Sequence, residues 1–173
     1  MELKQAHGFG AGEVEKVEVE VNPMVPQFIR YPEPRNMAEA RFSMPHGLAV
    51  AILDDRITLR SFSDERVKAP DARELRHRVK MIVHEEWPYG GLSGPYPLTV
   101  ILKDGTRLGK DCRKVSGQPP DLLSAEQVIQ KYRLCTEDLL AENKIQESIR
   151  MTLGLEELDN VAKLMDAVAN QKD

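Results

Sequence analysis

Cysteine is scarce in this sequence: Cys112 and Cys135 are the only two. They stand far apart and belong to no metal-like spacing, and two such residues do not make a disulfide framework. Aromatic residues make up 5% of the chain, so the core is expected to be mostly aliphatic. No apolar run approaches the ~20 residues that would span a bilayer. The N-terminus carries Glu2 and Lys4 and no apolar stretch of signal-peptide length. These absences point to a reduced, cytoplasmic protein that does not engage membranes. Excess positive charge is missing too. The formal net charge is −4 and the isoelectric point near 5.7, which argues against a nucleic-acid partner, since phosphate neutralisation needs a basic surface. A small anionic ligand stays open, because a site needs only a few local cations. The sequence also lacks a Walker loop, a G-x-G-x-x-G run, an HExxH pair, a CxxC pair and a G-x-S-x-G elbow. It has no internal repeat and no low-complexity tract.

What is present reads as globular. Apolar residues are 41% and charged residues 30% of 173, enough for one domain of ordinary size and some trailing helices. Residues 1–12 look like a helix tail followed by a turn at Gly8, Gly10 and Gly12. A domain that begins this way suggests that something preceded it. Residues 13–22 alternate, with Val17, Val19 and Val21 on one side and Glu18 and Glu20 on the other, the pattern of a half-buried strand. Pro23, Pro26, Pro32 and Pro34 deny a regular helix and imply an extended crossing segment. Pro45 suits the first turn of a helix, and from Gly47 to Leu53 every residue is apolar or glycine, so that helix should be buried nearly all round. Gly47 suggests close approach by a neighbouring backbone.

Further on, Ser63 and Asp64 open a short helix that Pro70 stops, and Asp71 caps a second short helix. Val79 to Val83 is a strand, and 87–97 a glycine- and proline-rich loop of mobile or functional character. Residues 97–115 form a hairpin turning at Asp104-Gly105. A proline-rich junction at 116–123 leads to a capping box, Ser124 to Gln127, that opens a helix through Tyr132. A longer helix over about 137–153 ends at Gly154. A last one carries Leu155, Leu158, Val161, Leu164, Met165 and Val168 on one face. The expected architecture is α+β, an antiparallel sheet with helices packed on one face, followed by C-terminal helices. The domain boundary falls at 122/123.

Of the four histidines, His7, His77 and His84 sit in surface-like contexts. His46 stands beside Pro45 at the start of the buried helix. The helix dipole disfavours a positive charge there, so a neutral imidazole able to exchange a proton near neutral pH is expected. Ser43, three residues earlier, either caps this helix or touches an anionic ligand. From pattern alone, a capping Ser43 and a hydrogen-bonded boundary His46 is the favoured reading. Arg30, Arg35 and Arg41 surround the segment and could attract a carboxylate, though scattered arginines are more often solvated surface groups.

Residues 39–55, EARFSMPHGLAVAILDD, carry a resemblance to the MmgE/PrpD family, whose members include 2-methylcitrate dehydratase, cis-aconitate decarboxylase and iminodisuccinate epimerase. That family shows E-A-x-F-S-x-x-tyrosine and then a small-residue helix ending in aspartate. The likeness continues through SFSDERVKAPDARELRHRV, VILKDGTRL and SGQPPDLLSAEQVIQKY, and residues 13–21 resemble the family's valine-rich strand. Five ordered motifs thus cover about residues 1–170. The resemblance implies a small α+β lid beside a large helical domain, with the last helices packing on that domain. It implies proton-transfer chemistry on di- or tricarboxylates with no metal or organic cofactor. It makes His46, at the position of the family's tyrosine, the catalytic candidate, with Ser43 and Arg35 as substrate-binding candidates. Gln118 stands where relatives often show histidine or aspartate, and it cannot exchange a proton.

The implied function is the C-terminal half of a lyase or isomerase, 2-methylcitrate dehydratase-like, that needs a separate helical N-terminal half. The chain alone offers one histidine and some arginines, too few groups to position, protonate and deprotonate a polycarboxylate. Its partner is then a helical MmgE/PrpD-type subunit, or a second copy in a homodimer. A docking subunit of this kind should expose an apolar surface on its last two helices. The competing reading is a non-catalytic remnant or regulatory module of the same fold. A third possibility is that the helical half lies upstream of Met1.

Overall fold

The computed structural model describes residues 1–54, 56–89, 94–112, 117 and 122–169. Two compact units, Met1–Val115 and Ser116–Asp173, divide the chain, and each is described by itself.

The first unit is built on a four-stranded sheet. Strand β1, Val14–Val21, buries Val14, Val17, Val19 and Val21. The alternation read from the sequence therefore fixes which face turns inward. A register irregularity between Val14 and Lys16 restores the period at the strand's start. On the other face Glu18 accepts from Lys16 at 2.5 Å and faces Arg107. Glu20 meets the His84 ring at 2.8 Å. The outer glutamates are thus each held by a polar partner.

Strand β2, Val79–Val83, joins β1 on one side, and β3, Tyr96–Leu102, on the other, with β4, Arg107–Cys112, beyond it, giving the order β2-β1-β3-β4. The α+β class holds, but the sheet is mixed. The pairs β1–β3 and β3–β4 are antiparallel, while β1–β2 is parallel, Val17 opposite Val79 and Val21 opposite Val83. The reason is connection length. Between β1 and β2 the chain runs through several helices, long enough for a parallel crossover, whereas β3 and β4 are joined by a tight turn. That turn has Gly105 at φ 88°, and the Asp104 carboxylate accepts from the Thr106 N–H at 2.8 Å.

Helix α1, Glu2–His7, ends on Gly8 at φ 69°. The proline-rich crossing is less extended than expected. It holds two single-turn helices, α2, Val25–Phe28, and α3, Met37–Ala40. Pro26 sits in the first turn of α2, where no N–H is required. Helix α4, Met44–Leu53, packs against β2 and against the helix at Pro70–His77, and its Ala49 and Ile52 join Phe9, Val14, Val17, Leu75, Val79 and Val100 in the main core. A second cluster of Val19, Val21 and Val25 continues it. Burial of α4 is one-sided, since Gly47, Leu48 and Ala51 stay half-buried. The expected close approach at Gly47 is overturned: a methyl group there would meet nothing within 4 Å.

Ser63 caps α5, Asp64–Lys68, through its Oγ and the Arg66 N–H. One expectation here holds and one changes. Helix α5 stops at Lys68, just before Pro70, as expected, and Pro70 itself opens α6, Pro70–His77, with Asp71 in the first turn and Ala69 as the cap. Proline is preorganised for the first helical position, so one residue ends one helix and begins the next. In the loop after β2, Trp87 stacks on Tyr96 at 5.6 Å and meets Tyr89 edge-on.

In the second unit Ser124 and Gln127 form the expected capping box of α7, Ala125–Thr136, which runs one turn further than Tyr132. Helix α8, Glu142–Leu153, starts later than expected, after a turn around Leu139 and Leu140. The Ser148 hydroxyl donates to the Ile145 carbonyl at 2.9 Å, so the Tyr132 hydroxyl donates to Ser148 Oγ at 2.7 Å, joining α7 to α8. A single 3-10 turn, Leu155–Glu157, precedes α9, Ala162–Ala169. Ala167, Ile145 and Met151 are buried, while Leu153, Leu155, Val161, Met165 and Val168 are exposed. Among the described residues no helix is long and apolar enough to cross a membrane.

Candidate functional site

Ser43 has extended backbone, and its Oγ accepts the His46 N–H at 3.2 Å. Pro45 follows inside the first turn, its fixed φ setting the helical path. Together they turn the His46 side chain inward, where it is fully buried. Ser43 is buried as well and spends its hydroxyl on the cap. The His46 Nε2 lies 2.9 Å from the Ser61 carbonyl oxygen, and Phe62 meets the ring edge-on at 5.6 Å. A carbonyl only accepts, so Nε2 carries the proton and Nδ1 the lone pair. Nδ1 is buried and, among the described residues, has no hydrogen-bond partner. Burial pushes the His46 pKa below its ordinary value. The Arg76 and Arg66 cations add to this, and the Ser61 bond and the Asp54 carboxylate only partly oppose it.

A polar network adjoins the ring. Asp54 closes α4. Its Oδ2 accepts from the Ser61 hydroxyl at 2.8 Å, and its Oδ1 accepts from Arg66 Nη2 at 2.7 Å and Nε at 3.1 Å. Arg66 also donates to both oxygens of Asp71, at 2.8 and 3.0 Å. Burial raises the Asp71 pKa, but the guanidinium outweighs it and holds the carboxyl below its usual range. Arg76 is buried, donating to the Val67 carbonyl and to Glu33, both at 3.2 Å, while its Nε has no partner among the described residues. Glu33 also meets His77 at 3.0 Å.

The structure joins Ser43 to His46 but places Arg35 elsewhere. Arg35 is exposed ahead of α3. Its N–H donates to Glu39, and its guanidinium makes no hydrogen bond or ion pair among the described residues. Arg30 lies over the Tyr31 ring and Arg41 contacts the Met37 sulfur at 3.2 Å. Gly117 has φ 95°, whereas Gln118 and Pro119 lie outside the described residues. Among the described residues no three His, Cys, Asp or Glu side chains form a metal-binding group.

As arranged, the neutral imidazole can act as an acceptor through Nδ1, but neither ring nitrogen faces solvent. Sequence reasoning missed Asp54, Ser61, Arg66 and Arg76. Asp54 closes the motif helix, which is a usable signal. Its pairing with Arg66 and the burial of Arg76 in a run of charges have none, because both depend on how α4, α5 and α6 meet.

A family model for the MmgE/PrpD C-terminal domain matches residues 1–157. The chain is 26% identical to a cis-aconitate decarboxylase of Mus musculus over 90% of this chain and 32% of that protein. It is 27% identical to one of Homo sapiens over 80% of this chain and 29% of that protein. The corresponding Aspergillus terreus enzyme is 24% identical over 78% of this chain and 28% of its own length. The chain therefore spans about a third of the length of the curated relatives it matches. The match over most of its length makes this chain a member of the MmgE/PrpD family, corresponding to that family's C-terminal domain.

Proposed function

We propose that this chain is the lid-bearing C-terminal part of a lyase acting on di- or tricarboxylates, a decarboxylase or hydro-lyase. It works with a helical N-terminal portion carried on the same polypeptide or on a separate one. One observation carries this reading: the family match covers a C-terminal domain, while a relative named cis-aconitate decarboxylase is about three times as long. The exposed apolar residues of α8 and α9 support it, since a face of this kind is what a docking helical portion would cover. In this reading His46 is the acid/base group, and Ser43 and Arg35 are the carboxylate contacts. The burial of His46 adds a condition: its ring reaches a substrate only if the turn holding Ser61 and Phe62 moves aside. The reading places the protein in the cytoplasm, where the free, exposed Cys112 and Cys135 stay reduced.

The second reading, a non-catalytic module of the same fold, draws on that same burial. A histidine whose Nε2 is spent on a carbonyl and whose ring is closed off serves the fold first. Co-expression with the helical N-terminal portion of the mouse relative separates the two. Complex formation with release of carbon dioxide from cis-aconitate, or dehydration of 2-methylcitrate, supports the lyase, and His46→Gln should then lower kcat. A stable complex with no turnover of either substrate favours the module. Turnover by the chain alone would defeat the requirement for a helical portion.

A further inference from the structure

We propose that Asp54 is a positioning residue for His46: through the Ser61 hydroxyl it holds the Ser61 carbonyl on Nε2 and so keeps the ring's free electron pair on Nδ1. This rests on the reading above, that His46 is the acid/base group, and adds what aims that group. His46, Val50 and Asp54 recur at i, i+4 and i+8, so they share one side of α4. His46 lies in the first turn of that helix and Asp54 closes its end, where the Asp54 N–H donates to the Val50 carbonyl at 2.8 Å. One buried residue, Ser61, meets both ends of this side. Its carbonyl accepts from His46 Nε2 at 2.9 Å, and its hydroxyl donates to Asp54 Oδ2 at 2.8 Å. The same hydroxyl accepts the Thr58 N–H at 3.2 Å. Ser61 is therefore held by its side chain, while its backbone holds the ring.

Asp54 is itself aimed. Arg66 Nε and Nη2 both donate to Oδ1, which leaves Oδ2 for Ser61, and Arg66 Nη1 is anchored on Asp71. The contacts run from Asp71 through Arg66, Asp54 and Ser61 to His46, and they end on one ring nitrogen. The other, Nδ1, is buried and has no partner among the described residues. A histidine that serves packing alone gains by pairing both nitrogens. A base needs one nitrogen fixed by a third group and the other left open. Charged groups reach this ring from three helices: Asp54 at the end of α4, Arg66 on α5 and Arg76 on α6. Burial, joined by the two cations, opposes a second proton, so the open nitrogen keeps its electron pair.

The test reads the ring directly, by nuclear magnetic resonance of the full chain labelled with nitrogen-15 at histidine, at about pH 8 where imidazole is neutral. The His46 signals are those that vanish in His46→Gln. In the parent the proton should stand on Nε2 and exchange slowly with solvent. Asp54→Ala should leave a mixture of the two tautomers and speed that exchange at least about tenfold. Ser61→Ala keeps the carbonyl and loses the hydroxyl; it should do the same, and the double variant no more than either alone. Asp54→Asn keeps an oxygen for the Ser61 hydroxyl and should restore most of the parent signal, while Asp71→Ala should keep the parent tautomer. If Asp54→Ala does not fold, Ser61→Ala and Asp54→Asn decide in its place. A tautomer and exchange rate that Asp54→Ala or Ser61→Ala leaves unchanged, or an asparagine variant that loses the parent signal, would overturn the proposal. In an active complex with the mouse helical portion, Asp54→Ala should lower kcat at least about tenfold with KM little changed, and an unchanged kcat would overturn it too. Absence of turnover by the parent complex, with the ring signals as expected, counts against the lyase reading alone.

Discussion

The His46 Nε2 stands 2.9 Å from the Ser61 carbonyl oxygen, inside a fully buried site. That contact fixes the tautomer, because the carbonyl can only accept. Among the described residues, it leaves Nδ1 without a donor or an acceptor. A second proton on the ring would therefore sit on a buried nitrogen with nothing to receive it, in the field of Arg76 and Arg66.

Stability should follow this proton. In the unfolded chain His46 titrates near its ordinary value of 6.5, and in the folded chain lower. The unfolded state then binds more protons below that pH, so stability is full above it and falls as pH drops toward the folded value. Urea midpoints measured between about pH 5 and pH 8 should show this fall. In His46→Gln, whose amide can still donate to Ser61, the decline over that window should be visibly shallower. Parallel curves for the two proteins would show that His46 does not carry the linkage.

Ser43→Ala removes the α4 cap and leaves a buried N–H unpaired. The expected loss is about 1–2 kcal/mol, at the upper end for a cap because the site is buried. Ser43→Thr should recover most of it. If Ser43 served only a ligand and not the helix, the urea midpoint of the alanine variant would match the parent.

Gly47→Ala should act in the opposite direction. The position is inside α4, and a methyl group there meets open space. Alanine lowers the entropy lost on folding, so a gain of roughly 0.5–1 kcal/mol is expected. A rise in thermal midpoint would check it, and a fall would mean that a neighbouring backbone does approach this site.

Asp54→Ala should be the most damaging of the four. It removes the acceptor for the Ser61 hydroxyl and for two donors of Arg66 at once. A loss of about 1.5–3 kcal/mol is expected from a charged hydrogen-bonding partner at a partly buried position. Asp54→Asn should fall between the two. An alanine variant as stable as the parent would show the network to be solvated.

The sequence reported best where local chemistry decides alone. The alternation of Val17, Val19 and Val21 made β1, the Asp104-Gly105 pair made the hairpin turn, and Ser124 with Gln127 made the α7 cap. Each depends on neighbours within a few residues. Pro70 marked the end of α5, but the start of α6 was placed too late, with Asp71 as its cap, because the actual cap, Ala69, offers no capping side chain. The ordered motifs also identified the family, since they preserve spacing along the chain.

Tertiary structure decided the rest. The parallel pairing of β2 with β1 depends on where a long crossover returns, which no local pattern records. The contrast is sharpest at His46. Its residue type and its place beside Pro45 were plain, and they determined a histidine at a helix start. Whether that ring meets solvent or a carbonyl depended on Ser61, fifteen residues away. Packing of α4 beside the turn that holds Ser61 and Phe62 closed the ring off, and burial then fixed both its proton and its charge.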